Sequence, residues 1–309
     1  MDLISALVSF YGVIIVGYVS KKLKLFTSAD AKPIINFVFY ITYPLLVVYT
    51  ISEMNLENLI ETVGLIMVLS LVLHVFSFIV IFLFVKLLQL PRSEAGVALL
   101  TGTFMNSIFL PLPLALIGWG DLGVILVTFY AVVALVLFNF VGPLIGQKYS
   151  KEKVELSFKH QLLEFLKFPP LIGTVIGLIS LFSGLKFPIV ALDFMRYLGD
   201  LTVPVILFTI GLKLEITFPK EHVKGILSVT LTRIIISPLF ALALLLFVPT
   251  TSAERGVFLL ESLMPPAVAN AAFAEVFRLD SEFTAKVVSV VTLLSIILVL
   301  FVFPFLVQW

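Results

Sequence analysis

Apolar residues in this chain gather into long unbroken stretches separated by short polar pieces. Ten can be marked, about 18 to 30 residues each: 3–20, 33–51, 59–88, 95–118, 122–146, 162–183, 189–212, 222–248, 256–276 and 283–308. A hydrocarbon core of ~30 Å takes roughly 20 helical residues to cross, whereas barrel strands alternate over about 10 residues. Nothing here alternates that way. The pattern predicts an all-α membrane protein with ten transmembrane helices.

Two of the stretches are interrupted in related ways. Residues 94–113 read EAGVALLTGTFMNSIFLPLP, and residues 254–270 read ERGVFLLESLMPPAVAN. Both open with Glu-x-Gly-Val-x-Leu-Leu, 160 positions apart, and both run into helix breakers. These are Asn106, Pro111 and Pro113 in the first and Pro265, Pro266 and Asn270 in the second. A proline inside a helix removes a backbone hydrogen bond and costs about 3 kcal/mol. In lipid, the freed carbonyl must face protein or an aqueous cavity. Thr42-x-Pro44 returns as Thr202-x-Pro204, and Pro143 as Pro304, at nearly the same shift.

The longest polar stretch, QKYSKEKVELSFKH at 147–160, falls at mid-chain. The expected organisation is therefore a first five-helix repeat at 1–147, a cytoplasmic linker at 148–160 and a second repeat at 161–309. Five spans is an odd number, so the second repeat is inverted, with helices 4 and 9 broken where they cross. Interrupted segments at matching positions of two halves are the sequence mark of a transporter's binding site.

Charge orients the spans. Sixteen of the 20 Lys and Arg residues lie in one alternating set of loops; only Lys186, Arg196 and Arg255 lie in the other, and Arg233 falls within a span. The positive-inside rule then places both termini outside. Composition agrees with a multi-pass protein of the plasma (inner) membrane, its partner the lipid bilayer. The 309 residues are 61% hydrophobic and 13% charged, against about 25% charged in soluble domains, and mean hydropathy is +1.18. Met1-Asp2 precedes the first apolar run without the basic start of a cleaved leader, so none is expected.

Polar residues at membrane depth carry the candidate chemistry. At 1.5 Å per residue, Asn106 and Asn270 lie near the midplane, beside the breaks. An amide there suits a substrate carboxylate or a stray backbone carbonyl. Glu261 and Arg233 lie at depths that let them reach each other, either as a buried ion pair or as a coupling carboxylate and an anion anchor. His74 can relay protons or serve as a packed donor. Arg196 and Asp200, four apart, can pair on one helix face toward an outer vestibule. Glu53, Glu57 and Glu61 read as a solvated outer loop, and Pro44 and Pro204 as packing kinks. No cysteine, metal-spaced His or carboxylate cluster, phosphate loop or nucleophile motif occurs. Neither an enzyme nor a metal site is expected, and the basic loops report topology, not nucleic-acid binding.

NSIFLPLP at 106–113, LGDLTVPVILFTIGLKL at 198–214 and MPPAVANAAFAEVFRLD at 264–280 resemble the auxin efflux carrier family along essentially the whole chain. The resemblance implies a fold similar to the sodium/bile-acid symporters and NhaA, with an elevator motion of helices 3–5 and 8–10 against helices 1, 2, 6 and 7. It also implies a homodimer and a small organic anion as substrate, such as an auxin-like carboxylate or a dicarboxylate. Substrate contacts would fall on Asn106, Pro111, Pro113, Pro265, Pro266 and Asn270. The family has glycines where this chain carries Ile108 and Pro111, which stiffens the first break. No cofactor is implied beyond a coupling proton or sodium ion. A ligand sensor without transport and an anion channel are the other readings of the same spans.

Overall fold

The computed structural model describes residues 3–54, 56–150, 158–214 and 221–309. Among these there is no strand. The helices in chain order are α1 (Leu3–Lys22), α2 (Ala31–Phe37), α3 (Tyr43–Ser52), α4 (Leu56–Leu87), α5 (Arg92–Thr103) and α6 (Pro111–Tyr149). Then come α7 (Phe158–Leu166), α8 (Pro169–Ser183), α9 (Ile189–Gly199), α10 (Thr202–Lys213) and α11 (Val223–Thr230). The last four are α12 (Ser237–Leu245), α13 (Ser252–Ser262), α14 (Ala269–Val276) and α15 (Ser281–Gln308). Among the described residues, seven stretches are long and apolar enough to cross a membrane: Leu3–Lys22, Ala31–Ser52, Val63–Leu87, Pro111–Tyr149, Ile189–Lys213, Val223–Leu245 and Ser281–Gln308. The chain is thus a multi-pass membrane protein. Pro169–Ser183 is a shorter apolar helix.

The breaks have local causes. Residues 104–110 and 263–268 leave the helix, so α5 and α13 each stop part-way along an apolar stretch. Gly120, at φ 60 and ψ −144, is non-helical and kinks α6 into two helices, the second piece of segment four before it and segment five after it. Predicted segment six is divided at Lys167–Phe168, because a residue ahead of a proline is pushed out of the helical region. Segment seven is interrupted at Asp200–Leu201. Wide π-turns at Val38–Thr42 and Leu231–Ile236 precede Pro44 and Pro238. They make room for a proline ring that would strike the carbonyl four residues back. Glu57 and Glu61 lie in α4 and not in a loop. Most of the predicted linker, 151–157, lies outside the described residues.

The chain forms two compact units, and neither coincides with a half of the sequence. One comprises Met1–Leu65, Ile108–Phe129 and Leu166–Leu214; the other comprises Ile66–Ser107, Tyr130–Phe165 and Glu215–Trp309. In the first, α1 packs along α10. Gly17 lies against the Phe208 carbonyl and Gly211 against that of Ile14, so a side chain at either place would strike backbone. Small residues permit this approach in lipid, where helices gain little from hydrophobic burial. Thr202 donates to Thr42 at 2.9 Å, across a separation of 160.

The second unit holds a buried cluster that includes Ile81, Leu99, Phe104, Phe277, Phe283 and Val291. The rings of Phe76 and Phe240 stack with centroids 3.7 Å apart. The hydroxyls of Ser77 and Ser237 meet at 3.0 Å, again 160 residues apart.

Candidate functional site

Within the second unit the two interruptions meet. Met105 and Pro266 form an isolated antiparallel bridge. The Asn106 N–H donates to the Pro265 carbonyl at 2.7 Å, and the Ala267 N–H donates to the Phe104 carbonyl at 2.9 Å. Prolines leave nearby carbonyls without partners, and unpaired backbone in lipid is costly. Each break therefore completes the other's hydrogen bonding. Asn270, fully buried on the first turn of α14, donates through Nδ2 to the Phe104 carbonyl at 3.0 Å. Its Oδ1 has no partner. Asn106 is 5% exposed, and Pro265 and Pro266 are buried beside it.

The helices leaving the two breaks differ in the donors they expose. Pro111 and Pro113 sit at the first and third positions of α6 and have no N–H, and the Leu112 N–H is bound to the Ile108 carbonyl at 3.1 Å. At the second break the N–H groups of Val268 and Ala269 make no hydrogen bond among the described residues. A half-helix that starts at a break can offer unsatisfied N–H groups; here the two starts are unequal, because proline supplies breaks and removes donors at once. Pro111 and Pro113 belong to the first unit, the remaining crossing residues to the second.

Arg233 organises the crossing. The π-turn at 231–236 carries it, it is fully buried, and its guanidinium is spent on protein acceptors. Nε donates to the Met264 carbonyl at 3.1 Å, Nη1 to Ser77 Oγ at 3.2 Å, and Nη2 to Met105 Sδ at 3.2 Å and the Ser262 carbonyl at 3.3 Å. The carbonyls of Ser262, the last residue of α13, and of Met264, two residues beyond it, thus receive a cation, as a helix C-terminus favours. Neither the expected ion pair with Glu261 nor an anion anchor is what this geometry provides. Glu261 is fully buried, and neither of its carboxyl oxygens has a hydrogen-bond partner, although the Ser107 hydroxyl stands beside it.

His74 is also buried, with Nδ1 on the Ser70 carbonyl one turn back at 2.8 Å. Its Nε2 has no partner. Tyr130 packs its ring 5.8 Å from that of His74 and donates through Oη to Met105 Sδ at 3.2 Å. The expected Arg196–Asp200 pair is not formed. Arg196 is exposed, lies over the ring of Tyr49 and reaches its hydroxyl at 3.5 Å.

Sequence reasoning missed Ser77, Met105, Ser107, Tyr130 and Ser237. Only the serine pair left a readable signal, the shift of 160 that links Ser77 to Ser237. An apolar cavity of about 290 Å³ lies against Leu259, Ser262 and Leu263 and carries no charged side chain, so it does not suit a carboxylate.

The comparisons agree with one another. A family model described as membrane transport protein matches residues 2–303. An uncharacterized transporter of Methanocaldococcus jannaschii is 27% identical over 290 residues, covering 93% of each chain. An uncharacterized transporter of Methanothermobacter thermautotrophicus is 25% identical over 284 residues, covering 92% of each.

Proposed function

The chain belongs to the membrane transport protein family, the auxin efflux carriers of the sequence resemblance, and from that premise we propose that it is a secondary transporter of small organic anions. It works by elevator-type alternating access in the plasma (inner) membrane, with both termini outside, as a homodimer. The observation that carries this reading is the bridge between Met105 and Pro266, where two interrupted helices meet inside one compact unit. Broken helices at matching places of two repeats are where carriers hold substrate.

Ten spans in two inverted five-helix repeats account for the contacts at fixed separation. A residue touches its own repeat partner only near the axis relating the repeats. Thr42–Thr202 and Ser77–Ser237 are such contacts, one in each unit. The grouping of helices 1, 2, 6 and 7 as scaffold against a moving helix set draws partial support from the two units: α1–α3 and α8–α10 fall in one and α11–α15 in the other, while residues 108–129, from helices 4 and 5, fall with the first.

The substrate carboxylate lies beside Asn106, Pro265, Pro266 and Asn270, facing the free N–H groups of Val268 and Ala269 at the start of α14. A helix N-terminus carries about half a positive charge and accepts an anion without a lysine. A coupling proton or sodium ion at the crossing completes the cycle. The mid-depth polar cluster favours an occluded site over the continuous polar lining of a channel.

Purified protein in vesicles, offered a panel of radiolabelled mono- and dicarboxylates, tests the reading. Saturable flux with counterflow is the expected result. Non-saturating flux would show a channel, and binding without flux a sensor.

A further inference from the structure

We propose that Glu261 is a proton-binding site of the crossing and that Arg233 is its resident cation, occupying the carbonyls where a metal cation would otherwise sit. The site stands on the geometry alone; its consequence for coupling rests on the transport reading above.

In broken-helix carriers, unwound carbonyls and the C-terminal ends of half-helices coordinate the coupling cation. Here those carbonyls are Ser262 at the end of α13 and Met264 in the unwound segment after it, and Arg233 donates to both, at 3.3 and 3.1 Å. A guanidinium does not deprotonate in proteins and, being covalently held, cannot leave. A sodium ion would have to displace it and would then face its charge. Among the described residues no group of three or more His, Cys, Asp or Glu gathers to hold a metal.

Glu261 is left with two buried oxygens that make no hydrogen bond, with the Ser107 hydroxyl beside them. Ser107 Oγ beside it is also unpartnered. A proton needs no coordination shell. One proton from bulk water joins a carboxyl oxygen, the carboxylate becomes a neutral acid, and its O–H finds an acceptor in Ser107 Oγ.

The surroundings leave Glu261 as the group that changes charge. Arg233 faces it from the π-turn, and Tyr130 and Ser107 from α6 and the first break. His74, on α4, lies near Arg233. Of the helices packed on α13, α12 has no charged residue, and α15 carries only Glu282 and Lys286, paired at 2.6 Å at its start. With Glu261 ionised, it and Arg233 sum to zero; with Glu261 protonated they sum to +1. The proton-loaded cluster therefore favours an anionic guest and the unloaded cluster releases it, so proton and anion travel together.

Infrared difference spectra of the protein in lipid, titrated in choline chloride and in sodium chloride, test the site. The expected result is a carboxylic-acid band that grows as pH falls, is the same in both salts, is absent in Glu261→Gln and shifts in Ser107→Ala. A band that survives Glu261→Gln, or that sodium abolishes in the unmodified protein, overturns the proposal. A vesicle arm with a pH-sensitive dye inside tests the consequence. Saturable carboxylate flux that carries protons in the unmodified protein but not in Glu261→Gln supports coupling. Flux without proton movement overturns coupling and leaves transport intact. Absence of any flux beside an intact band sinks the transport reading and leaves the proton site standing.

Discussion

Replacing Arg233 by methionine separates its structural role from its charge. The guanidinium makes four hydrogen bonds at 3.1–3.3 Å, two of them to backbone carbonyls that no substitution can remove. An orphaned buried acceptor costs about 1–3 kcal/mol, so Met264 and Ser262 together predict a loss of roughly 2–6 kcal/mol. Methionine also removes a buried charge, and exchanging buried ions for apolar side chains can stabilise by about 1–4 kcal/mol. That gain arises when both partners of an ion pair are replaced. Here the acceptors stay behind, so the loss dominates. Arg233→Lys keeps the charge, but a single ammonium cannot span the same fork, and an intermediate loss is expected. Thermal unfolding in one detergent, followed by the fluorescence of Trp119 and Trp309, provides the comparison. A methionine variant as stable as the unmodified protein would refute the capping role.

Other perturbations test other parts of the fold. Gly17→Leu or Gly211→Leu should destabilise by about 1–3 kcal/mol in the same assay, because each side chain would push against backbone across the α1–α10 contact. Thr251→Ala removes the capping box in which Thr251 and Glu254 exchange hydrogen bonds at the start of α13, and should cost about 1 kcal/mol. The chain has no cysteine, so single substitutions report topology cleanly. A membrane-impermeant maleimide applied to intact cells should label Trp309→Cys and spare Lys148→Cys; the reverse pattern would invert the assigned orientation.

Much of the fold was legible because lipid leaves a chain few options. Long apolar runs had to be helices, and Pro265–Pro266 with Pro111 and Pro113 had to interrupt two of them. The paired Thr-x-Pro motifs marked Thr42 and Thr202, which touch, and the same shift of 160 reappears in the contact of Ser77 with Ser237, which no motif marked. The breaks at Phe168–Pro169 and Gly120 were written in residue types, yet hydropathy averages over them.

The interior of the crossing was less legible. Depth along a helix places Arg233 and Glu261 at one level, but it says nothing of rotation about the axis. A guanidinium that caps carbonyls leaves the same sequence trace as one that meets a carboxylate. Met105 reads as filler until folding sets its sulfur between Arg233 and Tyr130. The unequal donor supply of α6 and α14 follows from counting N–H groups, which proline content conceals when it is read only as breakage.

Counterflow of the transported carboxylate into vesicles carrying Asn106→Ala or Asn270→Ala bears most directly on the crossing as the transport site. Asn270 contributes one hydrogen bond to a carbonyl that keeps its bond from Ala267, so its loss should cost about 0.5–1.5 kcal/mol and leave the protein folded. Loss of uptake in both variants, with unfolding midpoints close to that of the unmodified protein, is the predicted result; full uptake in both would contradict it.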